Sequence, residues 1–126
     1  MVLLDTSVLI DGLTGPRDSG PALLRVFESG ERIGVPSLVI YEWLRGPRTE
    51  SEIEDQERLI PAAFALPFNA EDARLSAELY RSVRRGRTRE IDIGIAASAI
   101  RREAELWTLN RADFADIPGL RFFVLR

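Results

Sequence analysis

The sequence predicts a three-layer α/β fold around a mostly parallel sheet. Short apolar runs that read as buried strands alternate with longer stretches of helical periodicity. No repeat or low-complexity linker interrupts the 126 residues, so residues 1–126 are expected to form one domain, large enough to bury a core. Hydrophobic residues at 45% and charged residues at 29% fit a soluble globular chain. No apolar run approaches the length of a membrane span, and no basic region precedes the short apolar N-terminus. The expected location is cytoplasmic, with no membrane partner.

The elements follow in order. Val2–Leu4 is the first strand, and it stops at Asp5-Thr6-Ser7. A short helix follows over Val8–Leu13, and another over Pro21–Ser29 is ended by Gly30. Arg32–Val35 is the second strand. Ser37–Arg45 is a helix with Ser37 as N-cap, stopped by Gly46-Pro47. Glu50–Ile60 is a polar helix and Phe64–Phe68 a third strand. Ala70–Arg85 is amphipathic, apolar at Ala73, Leu75, Ala77, Leu79, Tyr80 and Val83, with Gly86 at its end. Ile91–Arg102, rich in Gly and Ala, reads as a buried, closely packed helix leading into the strand Leu106–Leu109; Arg121–Leu125 is the last strand.

The chain has no histidine, cysteine or lysine, and all 17 basic residues are arginine. This excludes His- or Cys-based nucleophilic catalysis, Schiff-base chemistry and thiolate or imidazole zinc sites. Any chemistry falls to carboxylates, and the simplest way to use several together is a hard divalent cation. The net charge of −3 argues against wholesale coating of nucleic acid but allows local basic stripes. An all-arginine basic set suits phosphate recognition, and it also arises from GC-rich coding.

In open α/β sheets ligands bind outside the carboxyl ends of the strands. Asp5 ends the first strand, Glu42 lies on the helix after the second, and Asn110 and Asp113 follow the strand Leu106–Leu109. Asp92 opens the helix that runs back into that strand, so it belongs to the same end of the sheet. Each acid also has a plainer reading. Asp5 could cap a helix. Glu42, in a helix apolar nearly all round, could pair with Arg45 or Arg48 instead of facing a cleft. Asp92 could be a first-turn acid favoured by the helix dipole. Asp113 could close a capping box with Asn110. Arg81, Arg84, Arg85, Arg87 and Arg89 put five guanidiniums in nine residues, either as a solvated helix end or as a phosphate grip beside an acidic site.

The chain resembles a PIN-domain endoribonuclease of the VapC type, the toxin of bacterial toxin–antitoxin pairs. The resemblance spans essentially the whole chain. It rests on Leu3-Leu4-Asp5-Thr6-Ser7-Val8-Leu9-Ile10, Pro36-Ser37-Leu38-Val39-Ile40-Tyr41-Glu42, Asp92-Ile93-Gly94-Ile95-Ala96-Ala97-Ser98-Ala99 and Leu106-Trp107-Thr108-Leu109-Asn110-Arg111-Ala112-Asp113-Phe114. It implies a PIN-like α/β/α fold and an acidic quartet of Asp5, Glu42, Asp92 and Asp113 holding Mg²⁺ or Mn²⁺. Asp5 and Asp92 are assigned as direct ligands, Glu42 and Asp113 as holders of the ion's waters or of a second ion. Thr6 and Asn110 match polar positions lining the family's site. Trp107 stands where the family more often has an aliphatic residue. RNA as substrate, a cognate antitoxin forming a hetero-oligomer, and a homodimer using some of Tyr41, Trp43 and Leu44 are further implications.

Two other function classes compete. A phosphoacceptor or phosphatase domain also ends its first strand in Asp, but such sites generally pair that Asp with a lysine, and this chain has none. A catalytically silent PIN-like module could grip RNA or protein. An intact quartet argues against it, and metal titration discriminates.

Overall fold

The computed structural model describes residues 1–125. Among them the chain runs β1 (Val2–Leu4), α1 (Thr6–Thr14), α2 (Ser19–Glu28), β2 (Ile33–Gly34), α3 (Ser37–Arg45), α4 (Glu50–Leu59), α5 (Ala70–Ser82), α6 (Glu90–Arg101), β3 (Glu105–Trp107) and β4 (Arg121–Phe122). Short 3-10 turns occupy Ala62–Phe64, Gly86–Thr88 and Arg111–Phe114. The strands form one sheet in the order β2-β1-β3-β4, and every pair is parallel. All of β1 is buried, as are Leu106 and Trp107 of β3, as expected of parallel strands covered on both faces. No described helix is long and apolar enough to cross a membrane.

The strand order positions the site. From β1 the chain moves to β2 on one side, then returns to β3 on the other. Right-handed crossovers send these two connections over opposite faces, which gives three layers. The reversal leaves a crevice between β1 and β3 at their carboxyl ends, where Asp5 and Thr108 emerge.

Several local expectations are corrected. Phe64–Phe68 is not a strand. Pro61 precedes this segment and Pro67 lies within it, and neither can donate to a ladder; the chain makes a 3-10 turn and a single parallel bridge from Leu66 to Pro36. Ser37 is not the cap of α3; Pro36 holds that position, and the Ser37 hydroxyl instead accepts the Phe68 N–H at 3.2 Å. The helix expected over Ala70–Arg85 stops at Ser82, because Gly86 must approach Tyr80 closely: a Cβ there would lie 2.9 Å from the Tyr80 ring. Arg85 takes the left-handed conformation, with φ 54°. Capping boxes form at Thr49–Glu52 and Asn69–Asp72, not at Asn110–Asp113, where the side chain of Asn110 makes no cap. Trp43 is fully buried, which removes it from the residues available to a dimer interface; Tyr41 and Leu44 are exposed. Trp107 stacks at a tilt on Phe123, with ring centroids 5.1 Å apart.

Asp72 joins α5 to α6. Its carboxylate is fully buried and accepts Arg101 Nε at 2.6 Å and an Arg102 terminal nitrogen at 3.1 Å. Burial pushes this carboxyl up, but hydrogen bonds from Arg101, the Asn69 cap and Arg102 outweigh it and hold it below its usual value. The stability it contributes is therefore present above the unfolded value and is lost as pH falls through the native one. Asp72→Ala, which strands two guanidiniums, is expected to destabilise the fold by about 3–5 kcal/mol at neutral pH. The deficit relative to wild type should shrink below about pH 4, where the unfolded carboxyl is protonated. Urea unfolding at both pH values checks this; an equal deficit at each would remove the ionised pair from the account.

Candidate active site

Asp5 stands at the N-cap position of α1, yet its side chain makes no capping bond. The carboxylate turns instead into the β1–β3 crevice. It is buried, and one oxygen, Oδ2, accepts the Thr108 hydroxyl at 2.7 Å and the Ser7 hydroxyl at 2.9 Å. Each hydroxyl is itself oriented by a backbone donor: Leu109 N–H reaches Ser7 Oγ at 3.0 Å, and Asn110 N–H reaches Thr108 Oγ1 at 3.0 Å. With their acceptor lone pairs so used, both hydroxyls point their protons at Asp5. Among the described residues nothing donates to the second oxygen, Oδ1.

Glu42 lies on α3 with its side chain 17% exposed. Thr6 donates its hydroxyl to one carboxylate oxygen and Arg45 approaches the other at 3.3 Å. The paired and the cleft-facing readings of Glu42 therefore both hold, with Arg45 as the partner. Arg48 goes elsewhere: it covers the Trp43 ring at 4.3 Å and donates to the Trp43 carbonyl.

Asp92 sits in the first turn of α6, half-buried, and no described donor reaches its carboxylate. Its pKa is pushed up to about 6, first by burial and then by the charges of Asp5, Glu42 and Asp113, against a smaller opposing effect of Arg89. The four acids, drawn from four separate segments, therefore share one electrostatic neighbourhood. Asp113 is exposed on the 3-10 turn after β3, and Asn110, just before that turn, is exposed as well.

The arginines divide. Arg81, Arg84, Arg85 and Arg87 are exposed, and only Arg81 lies within α5. Arg89 is half-buried and is gripped by Asp116 at 2.7 Å. A groove of about 290 Å³ runs beside the acids, lined by Glu42, Arg45, Arg87, Arg89, Glu90 and Asp92 among others. Sequence reasoning missed Thr108 and Asp116. Thr108 directly follows a strand, which was a usable signal; Asp116 carried none.

All donors here are hard oxygens, which suits Mg²⁺ or Mn²⁺ over softer ions. Among the described residues no three His, Cys, Asp or Glu side chains are grouped so as to hold a metal ion together. Mg²⁺ does not need such a group, since it takes one or two carboxylates and keeps waters or phosphate oxygens. The free Oδ1 of Asp5 and the donor-free carboxylate of Asp92 are the groups such a cation would fit.

An α/β domain with its acids gathered at the β1–β3 crevice defines the class. The family model of the PIN domain matches residues 2–120. Ribonuclease VapC19 of Mycobacterium tuberculosis is 35% identical over 124 residues, covering 96% of this chain and 98% of that protein. Among solved structures, DNA-bound VapBC from Salmonella typhimurium matches with TM-score 0.78 and 20% identity, over 97% of this chain and 96% of that one. VapBC2 from Rickettsia felis, bound to a DNA fragment from its promoter, gives 0.75 and 21% over 98% of each chain. A toxin–antitoxin complex from Klebsiella pneumoniae gives 0.71 and 26% over 95% of each. The chain belongs to the PIN-domain family, on the side of the VapC ribonucleases.

Asp92 yields a pH test. Its native carboxyl keeps its proton to higher pH than the unfolded one, so the stability it adds is complete below about pH 4 and is lost as pH rises through about 6. In chelator at pH 7.5, Asp92→Asn should melt about 3–6 °C above wild type, after allowing for solvent screening of a half-exposed group. The difference should close as pH falls to about 4. Melting curves across that range decide it; a pH-independent difference would mean that neither burial nor the other carboxylates raise the Asp92 carboxyl.

Proposed function

We propose that this chain is the toxin of a type II toxin–antitoxin pair, an endoribonuclease that cleaves RNA phosphodiester bonds with Mg²⁺ or Mn²⁺. It would work in the cytoplasm as a single PIN domain of residues 1–126. The observation that carries this reading is the crowding of Asp5, Glu42 and Asp113 around the donor-free Asp92, at the point of the sheet where the topology opens a crevice. The relative at 35% identity bears the name ribonuclease, and the structural neighbours are titled VapBC and toxin–antitoxin complexes.

In this reading Asp5 and Asp92 hold the cation directly, while Glu42 and Asp113 hold its waters or a second ion. The cation, when bound, supplies a nucleophile from water at neutral pH and stabilises charge on the phosphate. The chain's own residues do the rest. Ser7 and Thr108 fix the orientation of Asp5 by engaging one oxygen and leaving the other free. Thr6 steadies Glu42, and Asn110 lines the approach. Arg81, Arg84, Arg85 and Arg87 are free to grip the RNA backbone, and Arg45 and Arg87 line the groove in which a phosphate would lie beside the acids. An antitoxin covers the acidic site in the inhibited hetero-oligomer, and exposed Tyr41 and Leu44 are available to a homodimer.

Antitoxin-free protein is expected to cleave single-stranded or loop RNA only with Mg²⁺ or Mn²⁺, leaving 5′-phosphate and 3′-hydroxyl ends. Full cleavage in excess chelator, or 2′,3′-cyclic phosphate products, would sink this chemistry. Metal-dependent RNA binding without cleavage would favour the silent-module reading instead.

Replacing Arg85 and Arg87 with Ala should raise KM and lower the salt slope of RNA binding by about 2, because two phosphate contacts fewer release counterions. The rate on saturating RNA should change little. An unchanged slope would return these residues to an ordinary solvated loop.

A further inference from the structure

We infer that Arg89 and Asp116 are positioning residues of the acidic site, bracing the turn that carries Asp113 against the start of the helix that carries Asp92. The inference rests on the ribonuclease reading above. Arg89 directly precedes α6, three residues before Asp92. One of its terminal nitrogens donates to the Arg84 carbonyl at 3.0 Å and to Asp116 Oδ2 at 2.9 Å. The other donates to the Asp113 carbonyl at 2.7 Å and to Asp116 Oδ1 at 2.7 Å. A guanidinium has five N–H donors, and here both terminal nitrogens are fully used. Only Nε–H remains, too little for a phosphate grip unless the brace is broken. Arg89 lines the groove beside the acids, and in this inference its guanidinium serves there as a brace, with the exposed arginines left to grip the substrate.

Three segments meet on this one side chain: the loop after α5, the start of α6 and the turn after β3. The third most needs support. Residues 111–114 form a 3-10 turn, whose hydrogen bonds are poorer than those of an α-helix. Phe114 and Ile117 bury its apolar side, but Asp113 projects into solvent. The Arg89 bond to the Asp113 carbonyl fixes the backbone of the residue bearing that carboxylate. The two-pronged contact with Asp116 fixes the plane of the guanidinium, which a lysine ammonium does not do. Asp116 is 45% exposed, so the pair contributes little to global stability. Its effect belongs to the placement of Asp113, where a shift of about 1 Å is enough to slow a reaction.

The test compares Arg89→Lys, Asp116→Asn and their double variant with wild type. It measures cleavage of a short RNA, the salt slope of RNA binding, melting temperature, and hydrogen exchange of the Arg111–Ile117 amides. Both single variants should melt near wild type, lose about 10–100-fold in kcat, and keep KM and salt slope within about twofold. Exchange in the turn should quicken, and the double variant should be no worse than the poorer single, as for residues acting as one unit. Asp116→Asn with wild-type kcat and exchange overturns the brace. So does Arg89→Lys with a raised KM and a shallower salt slope, which would make Arg89 a phosphate ligand. If wild type cleaves no RNA, the ribonuclease reading fails, and the brace is judged on exchange alone: quickening in Asp116→Asn upholds it and unchanged rates overturn it.

Discussion

The carboxylate of Asp5 is the constraint on which the site depends. Burying a charge next to an apolar strand is costly unless donors meet it. Here they come from Ser7 in α1 and Thr108 after β3, each hydroxyl turned by a backbone N–H of the β3 exit. The network ties the end of β1 to the end of β3, the two strands between which the order β2-β1-β3-β4 opens its crevice. Asp5 N–H also donates to the Trp107 carbonyl at 2.9 Å, extending the ladder one residue past the strands. The same residue thus ends the sheet and begins the site. Because both hydroxyls go to one carboxylate oxygen, the register of the sheet decides which oxygen is left facing the other acids.

Acids elsewhere in the chain show what distinguishes these. Asp11 is buried and accepts the backbone N–H groups of Arg17 and Ser19 at 3.0 and 3.1 Å. Burial pushes its carboxyl up, but the Ser19 and Arg17 donors hold it below its usual value. Asp72 is buried among two guanidiniums and a helix cap with the same result. Those carboxylates hold loops and helices together, and each burial is matched by donors. Asp92 is partly buried, faces three other acids, and has no described donor. Burial and three neighbouring acids leave Asp92 in a setting that favours nearby positive charge. Arg45 and Arg89 temper that repulsion from the side, Arg45 drawn to Glu42 and Arg89 to Asp116.

Much of this was legible in the sequence because it depends on periodicity and on position relative to strands. The apolar run Val2–Leu4 and the helix leading into Leu106 gave the parallel sheet, and the rule that ligands bind at carboxyl ends made Asp5, Glu42, Asp92 and Asp113 candidates for one rim. The losses have physical causes. Capping preference cannot tell a carboxylate that caps from one that turns away, so Asp5 and Asn110 looked alike in advance although neither side chain caps. Apolar character over Phe64–Phe68 suggested a strand, but Pro67 within it cannot donate to a ladder. The five clustered arginines looked like one group. A single long-range partner, Asp116, separates Arg89 from the rest, and contacts 27 residues apart leave no trace in local pattern.

Helix packing completes the placement. Glu42 and Asp92 line one groove although they lie on different helices, so the contact between α3 and α6 must be close and of fixed register. Gly94 provides it. A Cβ there would lie 2.5 Å from Leu38 Cδ1 and 3.3 Å from the Phe68 ring, so the bare backbone of α6 is the seat of the Leu38 side chain. Leu38 and Glu42 are four residues apart on α3 and share a face, so seating one aims the other at the start of α6. Asp92 lies two residues before Gly94, on another side of α6, so this seat sets the spacing of the two helices and not the direction of the Asp92 side chain. The run Gly94-Ile95-Ala96-Ala97-Ser98-Ala99 is buried throughout, which keeps α6 close to its neighbours along its length. The small residues of this helix, chemically silent themselves, are what allow carboxylates from two helices to approach closely enough to repel.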